Sequence, residues 1–485
     1  MKNSLIRMIA MLLLLGLAVC LFACNNEQNT PTDTDTEAEE DTVEEGGLSL
    51  PFKKENYQKE FKILYYTGTL YRDYFFDDVT EAGDVVKQAI VDRRLMVEDY
   101  LGVYIVGVAE SSKEDSVLTA VQRDALAGID QYQVALTHGY LGVTGLVSEG
   151  LVRDLYEFED ISFNDEYWNV EAIESLEVGG KAYFGSSDFM ISDVCAVLFN
   201  KEMYSDYGIA DDPYQLVRDG KWTLEKMMEF ASKVAVENGD DLWTKEDTYG
   251  FAARADWEFL PFINSCNVVW LEGNANKTLT MSASNERYLA LYQIIEQLAD
   301  ANWSYLYNFG DNENKVTIAD GRFLFSLEPL RYARNHLASE VKFGVLPYPK
   351  FDEAQKEYKT GDFGGLMCVP QEAKDLEIIG KTLECLAAYS ADTVNLAYYE
   401  RLLGKRVAEA ADDAEMLSKY IFGTITNNPV INYSEKANTP VGILVYTIPK
   451  MLRAKLNKTE IPTIANNWAE NKTAAQAAID KFLNS

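Results

Sequence analysis

The chain has 485 residues, of which 47% are hydrophobic and 25% charged, and its formal net charge is −33. That length is enough for two large domains or one two-lobed body, and the composition excludes a collagen-like chain or disorder beyond one stretch. A body this acidic repels phosphate backbones and anionic lipid surfaces, so no nucleic acid is expected as a partner.

The first 23 residues read as an export signal. Lys2 and Arg7 form a basic start, and Met8 to Ala23 is a mostly apolar run, short for a membrane-spanning helix that needs ~20 residues. Its end, LFAC, resembles the lipobox of bacterial lipoproteins, with Cys24 as the residue that would be lipidated and LAVC at Cys20 as a weaker competitor. Residues 24–50 follow as a tether: Asn25 to Leu50 holds nine acids and no base, which cannot bury enough surface to order itself. Its reach as a flexible coil is roughly 28 Å.

The body opens with a strand, FKILYY at Phe61–Tyr66, and a polar, aromatic loop, TGTLYRDYFFDD. A helix is expected over Gly83–Gly102 with Val86, Ala89, Ile90, Val97 and Leu101 on one face. A second strand (VYIVGV), a helix about Val117–Leu126, the strand YQVALT and the loop HGYLGVTG come next. This alternation predicts a largely parallel sheet with crossover helices. Ligands of open sheets sit at the carboxyl ends of strands, a rule that selects Tyr66, Thr67, His138, Gly139 and Tyr140.

The stretch Lys181 to Val234 reads as strand, turn, short helix, loop, long helix. Val194–Phe199 is a strand-length apolar run, Asn200 tolerates the turn, Gly208 suits a left-handed cap, and Thr223 can cap the next helix while Trp222 staples onto Met227. The series VLFNKEMY, YGI and WTLEKMMEFASKV, in this order and spacing, resembles the middle of the family 1 extracellular solute-binding lipoproteins, the receptors of ABC importers, and within them the long carbohydrate-receptor type of Gram-positive anaerobes. VVKQAIVDRRLMVEDYLGVYI is similar to that subgroup's first helix and second strand.

The resemblance implies an α/β, bilobal, periplasmic-binding-protein-like fold: two three-layer α/β/α lobes joined by a multi-segment hinge. Residues 51–185 with 352–390 would form lobe 1, and 186–351 with 391–485 lobe 2. The first crossing would lie near Phe184 to Asp193 and carry Asp188. The segment DTYGFAARADWEFLPFINSCN would present Arg254, Asp256 and Trp257 to the cleft. VTIADGRFLFSLEPLRYA resembles another cleft-lining element, but where a tryptophan often follows that strand, Glu328, Pro329 and Tyr332 stand here. FGVLPYPKF looks like the second crossing, and GDFGGLMCVP, with Asp362, like the strand returning to lobe 1. The remainder is expected to be helical, Thr473 and Gln476 making a capping box for the final helix.

Catalytic signatures are lacking. No GxSxG, HExxH, Walker loop or dinucleotide fingerprint occurs, and the six cysteines, at 20, 24, 195, 266, 368 and 385, show no CxxC or CxxH spacing, so neither enzyme nor cofactor nor metal is expected. Cys195, Cys368 and Cys385 sit in apolar surroundings, though a disulfide within the body stays open. DNENK at Asp311 lacks the glycine and final acid of a calcium loop. Sugar hydroxyls call for donors and acceptors, and sugar C–H faces for flat rings, both of which the aromatic-rich loops supply. The expected function is therefore a monomeric receptor, exported and lipid-anchored to the outer face of the cytoplasmic membrane, touching that membrane through its lipid alone. It would capture a small solute, an oligosaccharide first, and deliver it to ABC permease subunits. A surface glycan-processing enzyme or adhesin, and a receptor for a cationic solute such as a polyamine, are the alternatives.

Overall fold

The structure is a computed structural model that describes residues 50–483 apart from 68–84, 112, 114, 191, 274–278, 282–285, 334–335, 337–338, 399–410, 435–438 and 461–463. The export signal, Cys24, the tether up to residue 49 and most of the loop after the first strand lie outside the described residues. Strand β1 (Lys59–Tyr65) pairs in parallel with β2 (Val103–Ala109) and with β3 (Val134–Thr137), and β13 (Leu366–Cys368) closes the far edge antiparallel to β3. The first sheet is thus parallel with one reversed edge. Phe61, Ile63 and Leu64 enter its core together with Val134, Leu136 and Met367.

The second sheet is mixed. Its order is β11 (Phe343–Leu346), β4 (Cys195–Asn200), β10 (Phe323–Pro329), β6 (Thr248–Arg254) and β5 (Ala235–Val236), with β9 (Ser304–Tyr307) also on β6. β4 runs antiparallel to both neighbours, whereas β6, β9 and β10 are parallel. Every residue of β4 and β10 is buried, which explains why both read as near-continuous apolar runs. A small antiparallel pair, β7 (Leu271–Gly273) and β8 (Leu279–Met281), lies apart. Local signals worked as expected: Asn200 accepts from the backbone of Glu202 and Met203, Thr223 accepts from Lys226, and Gly208 has φ 65°.

Several passages link the two cores. Gly185 is bridged to Met367 of the first sheet, Val194 to Asp362, and β12 (Thr360–Gly361) pairs with β14 (Ile425–Thr426). FGVLPYPKF, expected as a crossing, stays with the second sheet, since Phe343–Leu346 pairs with β4 and Lys350 is bridged to Thr223. It is Thr360–Gly364 that makes the passage. The helix Val85–Leu101 buries Val86, Ala89, Ile90, Val97 and Leu101 as its spacing requires, and Arg93 as well. Arg93 lies 5.0 Å from the Phe189 ring centroid and donates to Phe189 O and to Ser390 Oγ, fastening this helix to the first crossing.

The final helix runs Ile464–Leu483, so Thr473 is mid-helix rather than a cap. The alanine-rich, Glu- and Lys-bearing sequence around it favours continuation more strongly than Thr473 favours a start. Elsewhere Glu384, within the helix Leu376–Asp392, is fully buried and accepts from Ser162 N, Tyr167 Oη and Trp168 Nε1 at 3.1, 2.5 and 2.9 Å. Glu384→Gln is expected to lower stability by about 1–3 kcal/mol, because an amide nitrogen would face one of these donors. Chemical denaturation checks this, and an unchanged midpoint would refute it.

Candidate functional site

The parallel strands of the first sheet all end on one side, where Tyr66, Thr67 and the His138–Tyr140 loop stand. The Tyr66 and His138 rings meet edge-on at 5.6 Å, and His138 and Tyr140 at 4.3 Å. Burial pushes the His138 imidazole down to about 4, which favours its neutral form. Thr67 Oγ1 donates to Glu110 O. Gly139 is required here: a Cβ on it would come within 2.3 Å of Gly364 O.

On the second sheet the carboxyl ends of β6, β9 and β10 and the start of β4 share one edge. They place Arg254, Trp257, Phe309, Arg331, Tyr332 and Asp193 together. The Arg254 guanidinium lies 5.1 Å from the Trp257 ring and 5.0 Å from that of Phe309, while Arg331 lies 5.1 Å from Trp257 and 4.6 Å from Tyr332. Two guanidinium groups thus lie over the Trp257 ring. Both cations are countered: Arg254 Nε donates to Asp256 Oδ1 at 2.6 Å, Arg453 Nη2 reaches Asp256 Oδ2 at 3.2 Å, and Arg331 pairs with buried Asp193.

The two clusters join at Phe363–Gly364. The Phe363 ring is 6.0 Å from Trp257, nearly perpendicular to it, and the next residue's carbonyl abuts Gly139. Asp362 fixes this junction, its Oδ1 accepting from Asp193 N at 2.9 Å and Gly364 N at 2.7 Å, and burial pushes its carboxyl up to about 6. Tyr66, His138, Tyr140, Arg254, Asp256, Trp257, Tyr332 and Asp362 therefore belong to one continuous region, with Thr67 at its margin.

Two expected residues are employed otherwise. Glu328 is buried and accepts from Ile318 N and Ser326 Oγ, each at 2.8 Å, with His336 Nε2 at 2.5 Å from its other oxygen. Asp188 lines another cavity with Trp168, Asn169, Asn395 and Tyr398, where burial pushes it up to about 7. Asp193, Arg331, Phe309 and Phe363 were not singled out from sequence. Arg331 and Asp193 are separated by 138 positions, and only the antiparallel register of β10 on β4 brings them together.

Glu258, next to Trp257, is buried, accepts from Arg254 N at 2.7 Å, and is pushed by burial up to about 8. A carboxyl whose folded value lies above its unfolded one contributes stability that is complete below the unfolded value and lost as pH rises through the folded value. Stability is therefore expected to fall between pH ~5 and ~8, and Glu258→Gln to flatten that slope. Thermal melts across this range test it; equal slopes in both proteins would count against it.

Among the described residues no group of three or more His, Cys, Asp or Glu side chains is placed to hold a metal, and no helix is long and apolar enough to cross a membrane. All four described cysteines are free and buried.

No family model matches the sequence, and no curated protein does. Solved structures do match. The galacto-N-biose/lacto-N-biose I-binding protein of an ABC transporter from Bifidobacterium longum, in complex with lacto-N-biose, is 14% identical, with TM-score 0.57 over 87% of this chain and 97% of that one. The GacH receptor of Streptomyces glaucescens, solved unliganded and with acarbose, is 16% identical, with TM-score 0.54 over 88% and 99%. UgpB from Mycobacterium tuberculosis, with glycerophosphocholine, is 14% identical, with TM-score 0.55 over 81% and 94%. These neighbours are binding proteins rather than enzymes. Over most of its length, the chain has the bilobal, periplasmic-binding-protein-like fold seen in family 1 solute-binding proteins of ABC transporters.

Proposed function

We propose that the protein is the solute-binding receptor of an ABC importer and takes an oligosaccharide between its lobes. The observation that carries this reading is the meeting of two strand-end clusters, Tyr66–His138–Tyr140 and Arg254–Trp257–Arg331–Tyr332, across Phe363–Gly364. Flat rings suit C–H faces, while arginine and carboxylate groups suit hydroxyls, and none of these groups is set up as a nucleophile and base pair. The fold's neighbours, which bind lacto-N-biose and acarbose among other solutes, support a sugar. Three arginines at the second cluster weigh against a polyamine, despite the acidic balance of the chain.

In this reading the lobes are 51–185 with 352–390 and 186–351 with 391–485, with their second junction moved to Thr360–Gly364 so that 352–359 stays with the second lobe, and solute favours their closure through its differential affinity for the closed arrangement. The N-terminal signal, Cys24 and the acidic tether would hold the body at the outer face of the cytoplasmic membrane, beside its permease. Calorimetry against a neutral oligosaccharide panel, with small-angle scattering, tests the proposal. Saturable heat accompanied by compaction is expected; neither with any sugar would sink it. Turnover of a glycan would transfer the chain to the enzyme alternative.

A further inference from the structure

The strand ends of the second sheet carry one aromatic side chain that packing does not account for. Phe309 is 70% exposed, more than any other aromatic residue among those described. It stands two positions beyond β9, on the edge that also carries Arg254 and Trp257. It occupies the tip of a tight turn: Asp311 N donates to Asn308 O at 3.2 Å, and Gly310 has φ 81°, the left-handed value that the third residue of a type II turn needs. Proline is common at the second position of such a turn, whereas a phenyl ring there leaves most of its apolar surface in water.

The turn is fastened on both flanks. Asn308 Nδ2 donates to Asn457 Oδ1 at 3.1 Å, at the end of the helix Thr447–Asn457, and Asp311 accepts from Asn314 N and Nδ2 at 3.1 and 2.8 Å. The Arg254 guanidinium against the ring is itself fixed by Asp256. A ring ordered before binding loses little further freedom when a solute covers it. From the crossing outward the flat groups run Phe363, Trp257, Arg254, Phe309, with 6.0, 5.1 and 5.0 Å between successive centres. A second branch leads from Trp257 through Arg331 to Tyr332, 37% exposed. In both branches the arginine is more enclosed than the ring beyond it.

We propose that Phe309 contacts the solute and selects for its length: the solute is an extended oligosaccharide, longer than a disaccharide, whose outer unit lays its C–H face on this ring. Given the receptor reading above, on which this rests, chain length is what Phe309 adds. A disaccharide seated at Phe363 and Trp257 does not reach the turn, whereas a longer chain continues past the Arg254 guanidinium onto Phe309. Apolar surface that the free protein leaves in water is then buried against a flat sugar face.

Calorimetry on the full chain with malto-, cello-, xylo-, manno- and galacto-oligosaccharides, each of two and of five units, tests this in wild type, Phe309→Ala, Phe309→Leu and Phe309→Trp. In whichever series binds, the five-unit sugar is expected to bind wild type at least about tenfold tighter than the two-unit sugar. Phe309→Ala should remove most of that advantage and leave the affinity for the two-unit sugar unchanged. Leucine, apolar but not flat, should lose as much as alanine, and tryptophan should keep the advantage. Because Phe309 is exposed, all four proteins should melt together. Equal affinity of wild type for two and five units, or an advantage that survives Phe309→Ala, overturns the role of Phe309 while the receptor reading stands. Loss of the two-unit sugar together with a lowered melting temperature in Phe309→Ala assigns the ring to the fold and overturns that role too. No heat from wild type with any series sinks the receptor reading itself.

Discussion

Trp257→Ala is expected to weaken solute binding about 30- to 1,000-fold, equivalent to roughly 2–4 kcal/mol, while leaving the fold intact. Trp257 is where three contributions converge: the Arg254 guanidinium, the Arg331 guanidinium and the Phe363 ring from the crossing all lie against it. Removing the indole takes away a flat face of the cleft and also releases both arginines from the positions in which they could meet hydroxyls. Trp257→Phe should recover part of the loss, because it restores a ring without the indole's full surface. Calorimetry with whichever sugar binds the wild type measures both. If alanine bound that sugar within about threefold of wild type, the cleft would have to be placed elsewhere.

Arg331→Ala should cost about 3–5 kcal/mol of stability, a larger effect than its single ion pair suggests. Asp193 is buried, its carboxyl is already raised by that burial, and Arg331 is the group that offsets it. With the guanidinium gone, a carboxylate is left enclosed without a counter-charge at the very residue whose backbone N–H binds Asp362. The double variant Arg331→Ala/Asp193→Asn should therefore be more stable than Arg331→Ala alone. Urea titration at neutral pH decides the matter. Equal stability of single and double variants would show that Asp193 is not burdened by burial, and the ion pair would lose its role as a fastener between crossing and second sheet.

Much of the local structure was legible because its causes are local. Asn200, Thr223 and Gly208 each act within a few residues of their own position, and the burial of Val86, Ala89, Ile90, Val97 and Leu101 follows from helical spacing alone. The strand-end rule likewise placed Tyr66, His138 and Tyr140 together where the parallel strands end, since that needs only the direction of a parallel strand. What escaped depended on sheet order. Asp193 and Arg331 meet because β4 reverses beside β10, and nothing near either residue announces that pairing. Glu328 could have been read better. It shares a strand face with Ser326, two positions earlier, and that alternation directs both side chains into the interior and toward each other. Thr473 shows the opposite failure: a short capping pattern is outweighed when strong helix formers continue on both sides.

The cysteines carry a practical corollary. Cys195, Cys266, Cys368 and Cys385 are all unpaired and enclosed, and burial pushes Cys266 and Cys368 each up to about 12. So little thiolate is available that peroxide or exchange reagents find no purchase while the chain is folded. The described cysteines would then need no oxidoreductase during folding, and dithiothreitol should leave the melting curve where it was.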